Sequence, residues 1–203
     1  SILQIPSFSF DSSVEDIFTP LISGAKLVIP AVSKMDVNII SKELKENNIT
    51  HFLVVPSLYK ILLKEKLDCL QTLKNITIAG EGFSIALIKE HFSKLPNVRV
   101  INEYGPTENS VCSTFYEITA NDEKVLIGKP INNCKCYCLD KNKQLLPIGS
   151  EGELYVSGPG VSSGYLNKED ITLAKELKVN DSKQISDETI RQIAPILMNQ
   201  IKH

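Results

Sequence analysis

The stretch at 102–112, Asn-Glu-Tyr-Gly-Pro-Thr-Glu-Asn-Ser-Val-Cys, carries the side chains best suited to chemistry. It follows an apolar run at 98–101 that has the pattern of a buried strand, and it breaks at a Gly-Pro turn signal. An aromatic ring can stack on a base and an amide can hydrogen-bond to it, while a hydroxyl can hold a phosphate oxygen and a carboxylate can bind Mg²⁺. These residue types point to a nucleotide, although their spacing alone favours an ordinary strand-to-loop turn.

Alternating strands and helices precede this stretch and must position it. Helices are predicted at 13–23, 36–47, 56–67 and 84–95. A short first strand is predicted to end at 8–11, and further strands are predicted at 26–29, 51–55, 76–79 and 98–101. This alternation is typical of βαβ units and a parallel sheet. Ligands bind at the carboxyl ends of such strands, so Asp11, Val55, Ala79-Gly80 and Glu103-Tyr104 are expected to face one.

The first predicted helix has the apolar spacing of an amphipathic helix. Its apolar positions are Val14, Ile17, Phe18, Leu21 and Ile22. A serine at 12 or 13 is expected to cap its start, since serine oxygens accept from the free N–H groups there.

Beyond residue 108 the pattern changes to short strands at 111–118, 133–139 and 153–156, which predicts a small antiparallel unit. Cys134, Cys136 and Cys138 would share one face of the middle strand. A packed face of reduced cysteines is the simpler interpretation. A metal site is the alternative, but neither a CxxC motif nor a nearby His supports it.

Composition narrows the class of protein. The 203 residues are 42% hydrophobic and 23% charged, with a formal net charge of -2, so a nucleic-acid-binding surface is not expected. No apolar run approaches the roughly 20 residues of a membrane helix, and no secretory signal is visible. The five cysteines lack a disulfide framework, which favours a reducing, cytoplasmic compartment.

Five motifs in a fixed order resemble the amino-acid adenylation domains of nonribosomal peptide synthetases, in the adenylate-forming superfamily. They are FDSSV at 10–14, GEGFS at 80–84, NEYGPTE at 102–108, IGKPI at 127–131, and GELYVSG at 152–158 followed by GYL at 164–166. The likeness covers about residues 1–175. It implies an α/β fold: a flavodoxin-like parallel subdomain at 1–110 and an antiparallel, barrel-like subdomain at 111–166, before a helical tail at 167–203.

The resemblance also implies residue roles in making aminoacyl-AMP and pyrophosphate from an amino acid and ATP. Thr107 would contact the phosphates and Glu108 would bind Mg²⁺, which makes these two the catalytic candidates. The remaining candidates for holding ATP are Gly80, Glu81, Gly82, Asn102, Glu103, Tyr104 and Gly105. The alternatives are that Asn102 caps the strand end and that Glu108 is a solvated loop carboxylate.

Amino-acid choice in this family depends on a pocket. Its positions map to Asp11, Ser12, Glu15, Leu53, Thr77, Ala79, Glu103, Val111 and Cys112. Asp11 would pair with the substrate α-ammonium, because a buried ammonium needs a partner. Glu15 and Glu103 favour a cationic or strongly hydrogen-bonding substrate, such as lysine, ornithine or arginine. Alternatively one glutamate turns to solvent and the pocket is largely apolar.

Several family features are missing from the sequence: the phosphate loop, the Tyr-x-Thr-Gly-Asp motif, and the mobile C-terminal domain with its catalytic lysine. We therefore expect an incomplete, weakly active part of an amino-acid-activating ligase, whose partner in the parent enzyme is a peptidyl carrier protein. A non-catalytic nucleotide-binding or structural module is the alternative. Loss of flanking parts predicts a homodimer through an exposed sheet face, or marginal stability, unless the tail covers that face.

The tail resembles a different family. Residues 178–188 are similar to the Asp-Ser-Lys-x-Leu-Ser stretch of bacterial type 2 ribonucleases H, without that family's leading metal site. Apolar spacing predicts a helix after Ser186, kinked at Pro195. A chimera with a ribonuclease H-like tail is thus a further alternative.

Overall fold

The computed structural model describes residues 1–31, 36–147 and 149–169 and separates the chain into two compact units. The first comprises 1–103 and 116–125, and the second comprises 104–115 and the residues from 126 onward. The predicted tail helix and the ribonuclease H-like stretch lie outside the described residues.

The first unit is a parallel α/β layer. Its elements are β1 (Ile2–Leu3), α1 (Ser12–Ile22), β2 (Leu27–Val28), α2 (Val37–Glu46), β3 (His51–Val54), α3 (Pro56–Glu65), β4 (Asn75–Ile78), α4 (Ile85–Lys94) and β5 (Arg99–Tyr104), whose last residue belongs to the second unit. The strands run parallel in the order β2-β1-β3-β4-β5. The predicted fold class is therefore confirmed.

The central strands of this sheet are apolar because both of their faces are covered. Phe52 on β3 and both Ile76 and Ile78 on β4 are fully buried, and they share a core with Leu62 of α3 and Ile88 of α4. The helices begin where local chemistry allows. The Asp36 carboxylate accepts from the N–H groups at 38 and 39, and α3 begins with a proline, which needs no hydrogen-bond acceptor for its nitrogen.

One buried polar pair joins α3 to α4. The Tyr59 hydroxyl donates to Nδ1 of His91, and His91 Nε2 lies 2.8 Å from the Val98 carbonyl. Because a carbonyl can only accept, Nε2 carries the ring proton. Burial lowers the pKa of His91, so the ring stays neutral and both of its nitrogens are satisfied.

Three local predictions were wrong. The first strand is Ile2–Leu3, and residues 8–11 form a turn. The cap of α1 is Asp11, whose carboxylate accepts from the Ser12 N–H, in place of either predicted serine. The strand predicted at 98–101 extends to Tyr104, so Asn102 and Glu103 lie on β5 rather than after it.

The orientation of α1 differs from that of an ordinary amphipathic helix. Its buried residues are Ser13, Asp16 and Pro20, whereas the side chains of Phe18 and Ile22 are 55% and 85% exposed. Asp16 faces inward, where its carboxylate accepts from the Ile5 N–H at 3.3 Å. The apolar stripe of α1 thus points away from the core of its own unit.

Replacing Phe18 with serine is expected to change the free energy of unfolding by less than about 0.5 kcal/mol, because the ring is not part of the packed core. Urea unfolding would measure it, with Leu62→Ala as the buried comparison. A loss from Phe18→Ser as large as that from Leu62→Ala would contradict the outward orientation of α1.

The second unit contains antiparallel pairs. β6 (Thr114–Ile118), which begins in this unit, pairs with β7 (Lys129–Pro130), and β8 (Lys135–Leu139) pairs with β9 (Glu153–Ser157). Cys136 is buried against Val156, with the neighbouring cysteines packed around them. In the part of the chain that the structure describes, no cluster of three or more candidate metal ligands occurs. The described helices include none long and apolar enough to cross a bilayer.

Candidate functional site

The turn that follows β5 is closed tightly in the second unit. The Ser113 N–H donates to the Tyr104 carbonyl at 2.8 Å, and residues 107–109 form a single 3₁₀ turn between them. A Cβ placed on Gly105 would lie 2.2 Å from the Val111 carbonyl oxygen. Only glycine fits there, so the Gly-Pro break in the sequence is explained by close backbone approach as well as by turn formation.

The far side of this turn is strained. Ser110 and Val111 have φ values of 54° and 75°, and the Cys112 N–H donates to the Ser110 carbonyl at 3.1 Å. The bond across one residue with positive φ is a γ-turn of the rare kind, and a β-branched residue at its centre is especially unfavourable. Backbone strain of this sort concentrates at functional sites, where the surroundings enforce it.

Glu108 lies in the middle of the turn, half-buried, and its carboxylate accepts from the Tyr165 hydroxyl. The neighbouring Thr107 is exposed. A carboxylate beside an exposed hydroxyl is a donor set of hard oxygens, and Mg²⁺ is usually held by one or two carboxylates together with substrate phosphates. The residues of this turn therefore fit a magnesium–nucleotide ligand.

The turn contains a buried polar residue that was not identified as a candidate from the sequence. Asn109 is almost fully buried, and its Nδ2 donates to the Ser113 hydroxyl at 2.8 Å. Its Oδ1 accepts from none of the described residues. Asn109 directly follows the Thr-Glu pair of the motif, and no signal in a single sequence marks it as buried.

A pair of carboxyl groups lies in the first unit, where α1 faces β5. Glu15 and Glu103 hydrogen-bond to each other, and the buried carboxyl of Asp16 lies near them. Burial and then the charge of Glu103 raise the pKa of Glu15 to about 9, and burial raises that of Glu103 as well. Both residues are half-buried, and two carboxylates in contact in such a place are not both charged at neutral pH, so the pair shares a proton.

Asp16 is a third acidic group at this place, and the sequence reasoning missed it. Burial raises its pKa to about 7, in opposition to the hydrogen bond from Ile5. An acidic residue near the start of a helix ordinarily interacts with the helix dipole at the surface, so the sequence pattern does not mark Asp16 as buried. Its inward direction follows from the orientation of α1 and could not be read from periodicity.

The loop at 80–82 after β4 is held to the start of α3. Gly80 has a φ of 85°, a conformation that favours glycine, and Glu81 accepts from the Ser57 N–H at 3.2 Å and the Ser57 hydroxyl at 3.0 Å. A surface cavity of about 410 Å³ adjoins this loop, with Lys60 and Ser84 in its lining. The Glu81 carboxylate therefore caps the N-terminal end of α3.

A family model described as AMP-binding enzyme matches residues 1–166. The chain belongs to this family. It is 57% identical over 173 residues to bacitracin synthase 3 of Bacillus licheniformis, covering 85% of the chain and 3% of that protein. It is 37% identical over 179 residues to tyrocidine synthase 3 of Brevibacillus parabrevis, covering 85% and 3%. The chain thus spans a small part of the length of these relatives.

Solved structures agree with this assignment of the AMP-binding chain. PA1221, an NRPS protein containing adenylation and PCP domains, is similar with a TM-score of 0.77 and 25% identity, over 85% of this chain and 36% of that one. The resemblance to peptide synthetase adenylation domains is therefore confirmed at the level of the family and its homologues. The comparisons do not show the ribonuclease H-like tail.

Within this AMP-binding chain, the predicted site residues fall into two groups. Those in the first unit are Asp11, Ser12, Glu15, Leu53, Thr77, Ala79, Gly80, Glu81, Gly82, Asn102 and Glu103, and those in the second are Tyr104, Gly105, Thr107, Glu108, Val111 and Cys112. Of the first group, the structure brings Glu15 and Glu103 into contact. Leu53 and Thr77 are buried, and Thr77 Oγ1 lies 3.3 Å from Nε2 of His51. Asp11 is half-buried and bonded to its own helix.

Proposed function

We propose that this chain is the substrate-selecting part of an adenylation domain that activates an amino acid as aminoacyl-AMP for peptide synthesis. The observation that carries the proposal is the turn at 104–113. There the family's most specific motif coincides with a strained backbone that presents one hydroxyl and one held carboxylate. Because the chain spans a few per cent of its relatives, the activity is assigned to the longer protein of which such a segment forms part.

The nucleotide-binding roles implied by the family resemblance form part of this proposal. By these roles Asn102 and the loop at 80–82 in the first unit would each contact the nucleotide, as would Tyr104 in the second unit. The Thr107 hydroxyl would contact phosphate. Mg²⁺, when bound, neutralises phosphate charge as the substrate carboxylate attacks. Glu108 would hold that ion. The chain's contribution is otherwise positioning and electrostatic stabilisation.

The substrate would be an α-amino acid with a cationic or strongly hydrogen-bonding side chain, such as lysine, ornithine or arginine. Asp11 would pair with its α-ammonium, and the pocket positions named above would surround the side chain. The Glu15–Glu103 pair supports this substrate class, because a half-buried pair that already shares a proton can exchange that proton for a cation. An apolar side chain could offer the pair neither a hydrogen bond nor a charge.

Partners and location follow from the same proposal. A peptidyl carrier protein would receive the activated amino acid, as the adenylation and PCP domains of PA1221 suggest, and a cytoplasmic location suits free cysteines. The subdomain limits at 110 and 166 and a homodimer through an exposed sheet face stay predictions. The large exposed apolar side chains of the first unit are concentrated on α1 and the turn before it.

The test is calorimetric titration of ATP with Mg²⁺ into this chain and into its Glu108→Ala and Tyr104→Ala variants. Binding that both substitutions weaken by about tenfold or more would support a nucleotide half-site at the turn. No binding at millimolar ATP would support the alternative of a structural module. On the longer parent protein, ATP–pyrophosphate exchange across the amino acids tests the substrate, and strongest exchange with an apolar amino acid would refute the cationic class.

A further inference from the structure

A segment of the second unit crosses the turn that carries Thr107 and Glu108. We call residues 158–165, with the sequence Gly-Pro-Gly-Val-Ser-Ser-Gly-Tyr, the strap. The Ser110 hydroxyl donates to the Gly160 carbonyl at 2.7 Å, and the Ser162 N–H donates to the Glu108 carbonyl at 2.8 Å. The strap is thus bonded to the main chain of Glu108 and to a side chain two residues beyond it.

Two glycines allow the strap to lie this close. A Cβ on Gly160 would be 3.0 Å from the Asn109 carbonyl oxygen, and a Cβ on Gly158 would be 2.6 Å from the Asn133 carbonyl oxygen. Gly158 also has a φ of 145°, which few other residues adopt. The strap is therefore fixed near its start by backbone contacts, so its last residue is delivered to a defined place.

That last residue is Tyr165, and its hydroxyl donates to Oε1 of Glu108. The ring is 39% exposed, so the bond is formed at the surface of the unit and not inside its core. A carboxylate offers about four lone-pair positions on two oxygens, and the bond from Tyr165 restrains the direction of the Glu108 carboxylate.

We propose that Tyr165 is a positioning residue for Glu108: its hydroxyl holds one carboxylate oxygen and so fixes the direction in which the carboxylate would meet Mg²⁺. The inference rests on the proposed function and extends it to a residue that had no role among the candidates from the sequence. A partner that orients a metal ligand typically contributes about 10- to 100-fold to metal affinity. The strap thereby links the GYL motif to the chemistry of the turn.

The experiment compares Tyr165→Phe with Tyr155→Phe in the full chain. Tyr155 is a matched control, because its hydroxyl also donates to a glutamate, Glu153 at 3.0 Å on the same strand. ATP binding is measured by calorimetry at a series of Mg²⁺ concentrations. We expect Tyr165→Phe to need about tenfold more Mg²⁺ for half-maximal binding and Tyr155→Phe to match the natural chain. Equal Mg²⁺ requirements for the natural chain and Tyr165→Phe would overturn the proposal.

A spectroscopic readout separates this inference from the proposed function. Because the phenol donates to the Glu108 carboxylate, Mg²⁺ held there should perturb the near-ultraviolet absorbance of Tyr165 at neutral pH, isolated by difference from Tyr165→Phe. Glu108→Gln should abolish this response. If the natural chain binds no ATP, the nucleotide proposal fails, but a Mg²⁺ response at Tyr165 still supports its role. Absence of that response as well would refute it.

Discussion

The Glu15→Gln variant is expected to be more stable than the natural chain at alkaline pH, by about 2 kcal/mol at pH 9. The pKa of Glu15 is raised in the folded state from 4.5 to about 9. A raised carboxyl pKa contributes stability that is fully present below the unfolded value and is lost as the pH rises through the folded one. Glutamine keeps a donor toward Glu103 and cannot be deprotonated, so that loss should disappear.

Urea unfolding of both proteins between about pH 5 and about pH 9 gives the measurement, as the difference between their free energies of unfolding. Asp16, whose pKa is raised to about 7, adds a loss of the same sign. Because its charge also raises the pKa of Glu15, the difference between the two proteins includes the coupling between these two groups. The lowered pKa values of His51 and His91 act on the acid side and cancel in the difference. The exposed carboxylate of Glu46 provides the control. If Glu46→Gln shifts the alkaline stability as much as Glu15→Gln, the pair is not buried as described.

The alternation of strands and helices could be predicted from the sequence because parallel strands have an unmistakable pattern. A strand covered on both faces, such as β3 or β4, is rich in buried apolar residues. The starts of the helices are marked by signals such as Asp36 and Pro56. The residues at which strands and helices end were less predictable. β5 extends beyond the apolar run because its pairing with β4 continues to Asn102, which is paired with Ile78.

The direction of α1 could not be predicted, because periodicity identifies a stripe but not the surface it faces. The apolar stripe faces outward while Ser13 and Asp16 are buried. An inward carboxyl is unfavourable unless something else requires it, and such local conflicts are expected at functional sites. The Glu15–Glu103 contact is the clearest part of the candidate site that sequence reasoning anticipated. The nearby Asp16 depends on the same helix orientation and was missed.

The strained backbone at Val111 also could not be predicted from the sequence. Positive φ is normally indicated by Gly, Asn or Asp, and Ser110-Val111 contains none of them. The conformation is imposed by contacts distant in sequence, including the strap, whose Gly160 carbonyl accepts from Ser110. Contacts over about fifty residues are set by tertiary structure, which is why Tyr165 was recognised as part of a motif and not as a neighbour of Glu108.

Gly105→Ala is expected to lower the free energy of unfolding by about 3 kcal/mol. The new Cβ would lie 2.2 Å from the Val111 carbonyl oxygen, 2.8 Å from the Ser113 nitrogen and 2.9 Å from the Cys112 Cα. All three are backbone atoms, so no side chain can rotate away. Relief requires the γ-turn to open, which would also displace Glu108 and weaken ATP binding in the calorimetric assay.

Gly82→Ala is the matched control, because both glycines belong to family motifs and neither has a positive φ. A Cβ on Gly82 meets no described atom within 4 Å. There the methyl group should only restrict the unfolded chain, with an effect between zero and a gain of about 1 kcal/mol. The two variants share one chemical change and differ only in the space around it. If Gly105→Ala proved as stable as Gly82→Ala, the turn would be loose enough to accommodate a side chain. The close approach of the Gly105 backbone to residues 111–113 would then be refuted.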